Sequence, residues 1–199
     1  MPRRIHRHVL AVALLAASCA APSPTGRLQG VVVEDPTPKP SFVLTDTSGE
    51  PYDFAAETEG KLALLFFGYT NCPDICPVQL SQIAEVLRQM PDVAARTEVV
   101  FVGVDWRRDT PEVIRTYLDR FDSRFVGLTG TAEELERAQV AAGVPPAVVD
   151  ADEGVAHAGW VIAYAPDGLN HVIYPFGTRQ STLMNDLPVL VTMTGEDRR

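Results

Sequence analysis

The residue pattern predicts an α/β fold, a central mixed sheet flanked by helices. Three observations predict it. Short apolar runs without helical spacing, Lys61 to Phe67 and Val99 to Val104, read as strands buried on both faces. Segments with apolar residues three and four apart lie between such runs and read as helices. Near the C-terminus, Pro166-Asp167-Gly168 separates two apolar stretches and reads as a hairpin turn. The chain has 199 residues, 46% hydrophobic and 22% charged, which suits one soluble domain with a core. Its net charge of −9 makes it a poor partner for nucleic acid.

Each element follows in order. Ser41 to Asp46 alternates as a strand does, Ser48-Gly49 supplies a turn, and Pro51 to Phe54 returns as a short partner strand. Lys61 to Phe67, bounded by Gly60 and Gly68, is a buried strand. Pro77 to Met90 carries Leu80, Ile83, Ala84, Val86 and Leu87 at helical spacing, and Pro91 ends it. Glu98 to Val104 is the next buried strand. Asp109-Thr110-Pro111-Glu112 opens a helix with a capping residue, a first-turn proline and an acid at the positive end. Phe125 to Leu128 is a short strand, and Thr131 caps another helix. Ala158 to Ala165 and Asn170 to Phe176 form the hairpin. Arg179 to Met193 is a last helix, which Pro188 is expected to kink or restart. This layout is that of a thioredoxin-like fold, with an N-terminal β-hairpin and an inserted strand and helix.

The N-terminus reads as an export signal. Arg3, Arg4 and Arg7 form a basic start, and Val9 to Ala17 an apolar stretch too short to span a bilayer. Leu14-Leu15-Ala16-Ala17-Ser18-Cys19 resembles a bacterial lipoprotein cleavage site, in which Cys19 would carry the lipid. Ala16 stands where leucine is usual, which keeps ordinary cleavage nearby as an alternative. Losing residues 1–18 removes three arginines and no acids, so the charge moves to −12. Residues 19–40, with Pro22, Pro24, Pro36, Pro38 and Pro40, read as an extended tether to a membrane surface. The globular domain is expected over 41–195.

Apart from Cys19, the cysteines are Cys72 and Cys76, in Phe67-Gly68-Tyr69-Thr70-Asn71-Cys72-Pro73-Asp74-Ile75-Cys76-Pro77. They fall where a central strand hands over to a helix, a place where ligands and reactive groups collect. Positioned i and i+4, they share a face if both lie in the first helical turn, and a helix N-terminus favours the thiolate. A structural disulfide across three residues would constrain little chain entropy. Two thiolates exchange with a disulfide or hold a soft ion. Redox pairs use two intervening residues, whereas three intervene here, with no tryptophan ahead and no Gly-Pro between. Two thiolates suit Cu(I), a third neutral donor would complete a trigonal site, and zinc would want a fourth ligand. His6 and His8 lie in the signal, leaving His157 and His171. A lone histidine is more often a hydrogen-bonding residue than a ligand.

Those residues resemble the copper-site motif of the Sco/SenC family of copper chaperones. The likeness continues in Val102-Gly103-Val104-Asp105-Trp106-Arg107-Arg108-Asp109-Thr110-Pro111-Glu112, in His157 at a matching distance before Pro166-Asp167-Gly168, and in Phe42-x-Leu44-x-Asp46-x-x-Gly49 at the opening hairpin. It spans about Phe42 to Met193. The resemblance implies that Cys72, Cys76 and His157 are the ligands of copper, as Cu(I) and commonly Cu(II). It implies a non-enzymatic chaperone that assists assembly of the copper-A centre of cytochrome c oxidase. Its partners would be the copper-A subunit, another copper carrier or a thiol reductant, and a membrane through the Cys19 lipid. Some family members are thought instead to reduce the cysteines of that centre, so a thiol–disulfide reductase is the alternative, with Cys72 and Cys76 as its redox pair. Trp106 stands where proline is usual, Ala158 where a hydroxyl residue is common, and Ala156 where an acid often sits. Asp74 and Asp105 are candidates for supporting the site, set against plainer readings as a helix-cap acid and a strand-end acid.

Overall fold

The computed structural model describes residues 28–150 and 154–194. The expected signal, Cys19 and the first part of the tether lie outside them. In chain order, β1 (Val31–Val32) precedes the hairpin of β2 (Val43–Asp46) and β3 (Pro51–Asp53), and the single turn α1 (Phe54–Glu57) follows. Then come β4 (Leu62–Gly68), α2 (Ile75–Gln89), the short α3 (Pro91–Ala94), β5 (Thr97–Gly103) and α4 (Pro111–Leu118). The remainder is β6 (Val126–Thr129), α5 (Ala132–Ala141), a small hairpin of β7 (Val148–Asp150) and β8 (Gly154–Ala156), β9 (Val161–Tyr164), β10 (Asn170–Tyr174) and α6 (Gln180–Leu190).

The main sheet runs β1-β10-β9-β4-β5-β6-β2-β3. Its centre, β4, β5 and β6, is parallel, and both flanks are antiparallel. Side chains alternate across a strand, so β4 feeds two cores at once. Leu62, Leu64 and Phe66 join a layer with α2, α4 and α6, while Ala63, Leu65 and Phe67 join one with α1 and α5. Every β4 residue is buried. That explains an unbroken apolar run without alternation, since each large side chain is stabilised by about 1.5–3 kcal/mol on burial. β4 and β5 end in register at Gly68 and Gly103.

The α/β sandwich and the thioredoxin-like layout are as expected, and the differences are local. The tether reading of residues 28–40 is corrected. Val31 and Val32 pair with β10, Pro38 bridges to Leu169, and the N–H groups of Gln29 and Gly30 both donate to the buried Asp186 at 2.8 Å. Leu28 packed on the core, the backbone pairing of Val31 and Val32 and a waiting carboxylate hold this proline-rich strip on the sheet. α2 starts at Ile75, so Pro77 sits third in the helix instead of first; its missing N–H falls among those with no intrahelical partner. α6 runs through Pro188 without a break, its apolar face held by Leu183, Leu187 and Leu190. β9 begins at Val161, three residues later than expected, which leaves residues 157–160 outside any ladder.

Candidate metal centre

The site forms where β4 ends. Past Gly68 the chain turns, with the Cys72 N–H donating to the Tyr69 carbonyl at 3.2 Å, and α2 begins at Ile75. Cys72 therefore precedes the helix and only Cys76 lies in it. Asp74 occupies the capping position but makes no side-chain capping bond. The Cys72 Sγ does this instead, accepting the Cys76 N–H at 3.4 Å. Cys76 is fully buried and Cys72 nearly so. Gly68 is required here: a Cβ on it would lie 2.7 Å from the Phe101 ring and 3.0 Å from the Cys76 Sγ.

His157 reaches the same point from the other side of the molecule's sequence. It follows β8, on the stretch outside the ladder, half-buried against Tyr69, whose ring stands edge-on at 5.3 Å, and Phe66. Its Nδ1 lies 3.1 Å from the Ala158 carbonyl, which can only accept, so Nδ1 carries the proton. The Nε2 lone pair then faces the Cys76 Sγ at 3.9 Å. The two sulfurs and a ring nitrogen all lie within 4.8 Å of one another, and among the described residues no other three His, Cys, Asp or Glu side chains cluster in this way. A trigonal ion with bonds of about 2.0–2.3 Å needs donors about 3.7 Å apart, so small side-chain shifts suffice to close on one.

Electrostatics differ among the three donors. Burial raises the Cys72 pKa, but the N–H groups of Cys76 and Asp74, the Cys76 thiol and the Tyr69 hydroxyl outweigh it and hold the thiol below its ordinary value. Burial pushes the Cys76 thiol well up. Burial also lowers the His157 pKa, against the pull of its carbonyl contacts, so the imidazole is neutral at pH 7 and able to donate a lone pair. Tyr69 is pushed up to about 12, first by burial and then by the nearby sulfurs.

The surroundings contain residues that sequence reasoning passed over. Asp109 is buried and accepts from the Thr70 N–H at 3.1 Å, the Thr70 hydroxyl at 2.7 Å and the Asp105 N–H at 3.2 Å, tying the turn before Cys72 to the end of β5. Its signal was its place beside a helix cap, where the adjacent Thr110 takes the capping bond from Val113. Tyr69 sat inside the motif without a marked role. Asp105 is fully buried and ion-paired with Arg108 at 3.1 Å. His171 stays apart, paired with Asp167 at 2.9 Å on the hairpin. Trp106 is 47% exposed, with Arg107 over its ring at 4.9 Å.

Fold and site together define a thioredoxin-like protein with a thiolate–thiol–imidazole cluster at the first strand–helix junction of the parallel sheet. The chain belongs to the SCO1/SenC family, whose model matches residues 33–192. A Stutzerimonas stutzeri protein, named as copper-binding, is 39% identical over 134 residues, which are 65% of each chain. The chain thus spans less than two thirds of the length of this and the other curated relatives it matches. Among solved structures, Bradyrhizobium japonicum ScoI with copper bound matches at TM-score 0.68 and 31% identity, covering 78% of this chain and all of that one. Yeast Sco1 with copper bound matches at TM-score 0.70 and 26% identity, covering 82% and 94%.

Proposed function

We propose that this protein is a copper-binding metallochaperone that holds one copper ion through Cys72, Cys76 and His157. The observation that carries the reading is the convergence of two sulfurs and a neutral imidazole nitrogen within 4.8 Å. The donor set is soft, matches Cu(I), and offers zinc no fourth ligand among the described His, Cys, Asp and Glu residues. Copper is cargo here. An incoming thiolate or imidazole from the recipient enters as one donor leaves, so the ion is never released to water. A Cys72–Cys76 disulfide would block binding, so loading follows reduction. The recipient is the copper-A centre of cytochrome c oxidase, and the protein works outside the cytoplasm on a lipid at Cys19. Among the described residues no helix is long and apolar enough to cross a membrane.

Anaerobic Cu(I) titration of the reduced protein, followed by mixing with an oxidase fragment bearing the copper-A site, tests both halves. One equivalent bound and then transferred is the expected result. Absence of binding would overturn the site, and binding without transfer would overturn the recipient.

A specific observation also favours a second reading, a thiol–disulfide reductase. Cys72, nearer the surface with a lowered pKa, and buried Cys76, with a raised one, are the asymmetric pair of an attacking and a resolving thiol. Reduction of an oxidised copper-A fragment, unaffected by His157→Ala, would support it.

A further inference from the structure

An open cavity of about 630 Å³ lies beside Cys72, and neither Cys76 nor His157 lines it. Asn71, Cys72, Arg108, Tyr117 and Arg120 are among the residues that line it. The chain is acidic overall, yet two arginines line the cavity beside the nearly buried Cys72. Arg108 is engaged with Asp105. Arg120 has no carboxylate partner among the described residues. It is fixed instead by stacking, 4.7 Å over the Tyr117 ring and 5.8 Å from that of Phe121, with its Nε donating to the Tyr117 carbonyl at 3.4 Å. Tyr117 supplies an independent sign of a missing ligand: only 4% of it is exposed, and its enclosed hydroxyl has no hydrogen-bond partner. A buried hydroxyl left without a partner is costly, and a ligand acceptor would satisfy it.

We infer that this cavity is a carboxylate-binding subsite, which seats small thiols that carry a carboxylate and brings their sulfur to Cys72. Arg120 supplies the charge and the fork, and Tyr117 the hydroxyl donor. A cavity of this size holds a ligand as large as a short peptide. The reaction it serves is exchange with the oxidised protein. The ligand thiolate attacks the Cys72 sulfur, a new S–S bond forms, and the Cys72–Cys76 bond breaks. The electron pair leaves on the Cys76 sulfur, which takes a proton from water. A second thiolate attacks the ligand sulfur of the mixed disulfide and releases Cys72 as thiolate. Two thiols are oxidised to one disulfide and the protein dithiol is reduced. The inference rests on the dithiol but not on copper.

Metal-free, reduced full chain separates this from the copper reading. Alkylation rates at Cys72, resolved by mass spectrometry, are measured with iodoacetate and with neutral iodoacetamide, and their ratio is compared with that of an unstructured cysteine peptide. The ratio is expected to exceed the peptide's by about tenfold at low salt, as local fields of this kind give. It should fall towards the peptide value in Arg120→Gln and in 1 M salt, and part of the way in Tyr117→Phe. The same order is expected when the oxidised protein is reduced by 3-mercaptopropionate as against 2-mercaptoethanol. If Arg120→Gln fails to fold, the salt series and Tyr117→Phe decide. A wild-type ratio equal to the peptide's, or one that survives Arg120→Gln or salt, overturns the subsite.

Discussion

Cys72 and Cys76 differ in reactivity because one sulfur caps a helix and the other is sealed beneath it. A thiol reagent added to the reduced protein should label Cys72 first, as peptide mapping over time would show; preferential labelling of Cys76 would contradict the geometry. Cys72→Ser or Cys76→Ser should abolish stoichiometric Cu(I) binding. His157→Ala should weaken it by more than the roughly 10–100-fold attached to groups behind metal ligands. Full copper retention in His157→Ala would remove the third donor. Asp109 has a different signature. Burial holds its carboxyl above the ordinary range, with the Thr70 and Asp105 donors pulling it back only in part. The folded state therefore binds this proton more tightly than the unfolded chain. The stability this contributes is complete below the unfolded value of about 3.9 and is lost as pH rises through the folded one. Asp109→Asn should flatten that limb of the stability–pH curve. It should also cost about 1–3 kcal/mol, because an amide cannot accept at both positions and strands the Asp105 N–H. Urea titrations across the acid range measure both effects. At this scale the two cysteines were legible because thiols are rare in the chain. Asp109 was not, because a strand-end acid beside a helix cap has an ordinary explanation that hides its reach to Thr70.

The elements most legible were those with long patterns. The doubly buried β4 and β5 announce themselves by unbroken apolar runs, and α5 by Thr131 and Glu134, which form the reciprocal cap the pattern suggested. Several short elements without a flanking turn or cap signal were not legible. α1 and α3 are single turns, and β7 and β8 have three residues each, too few for any periodicity to emerge. Propensity also lost to packing at Pro188, where the cost of a missing hydrogen bond to the Met184 carbonyl is outweighed by the buried leucines around it. Pro188→Ala should restore that bond and raise stability by about 1–3 kcal/mol, seen as a higher urea midpoint with an unchanged slope. Docking of the N-terminal strip depends on Asp186, which is fully buried and also accepts the Tyr174 hydroxyl at 3.3 Å. Asp186→Ala would leave two backbone N–H groups without their acceptor. Amide exchange at Gly30 should then accelerate before global unfolding does; unchanged protection there would show that β1 pairing alone holds the strip.

Across the whole molecule, His157 and the sulfur pair come from segments more than eighty residues apart, brought together because β9 lies antiparallel beside β4. No local pattern carries that meeting. It was available beforehand only through the spacing of His157 from the Pro166-Asp167-Gly168 turn and a likeness to other chains. The two sides of the cluster are also mounted differently. Both sulfurs stand on the packed junction of β4 and α2, whereas the ring hangs from four residues that no strand partner secures. Stiffness is thus distributed unevenly around the three donors. A recipient that docks here would dislodge the imidazole first, leaving the metal briefly two-coordinate on sulfur, and hand-over would acquire a fixed direction from the architecture alone.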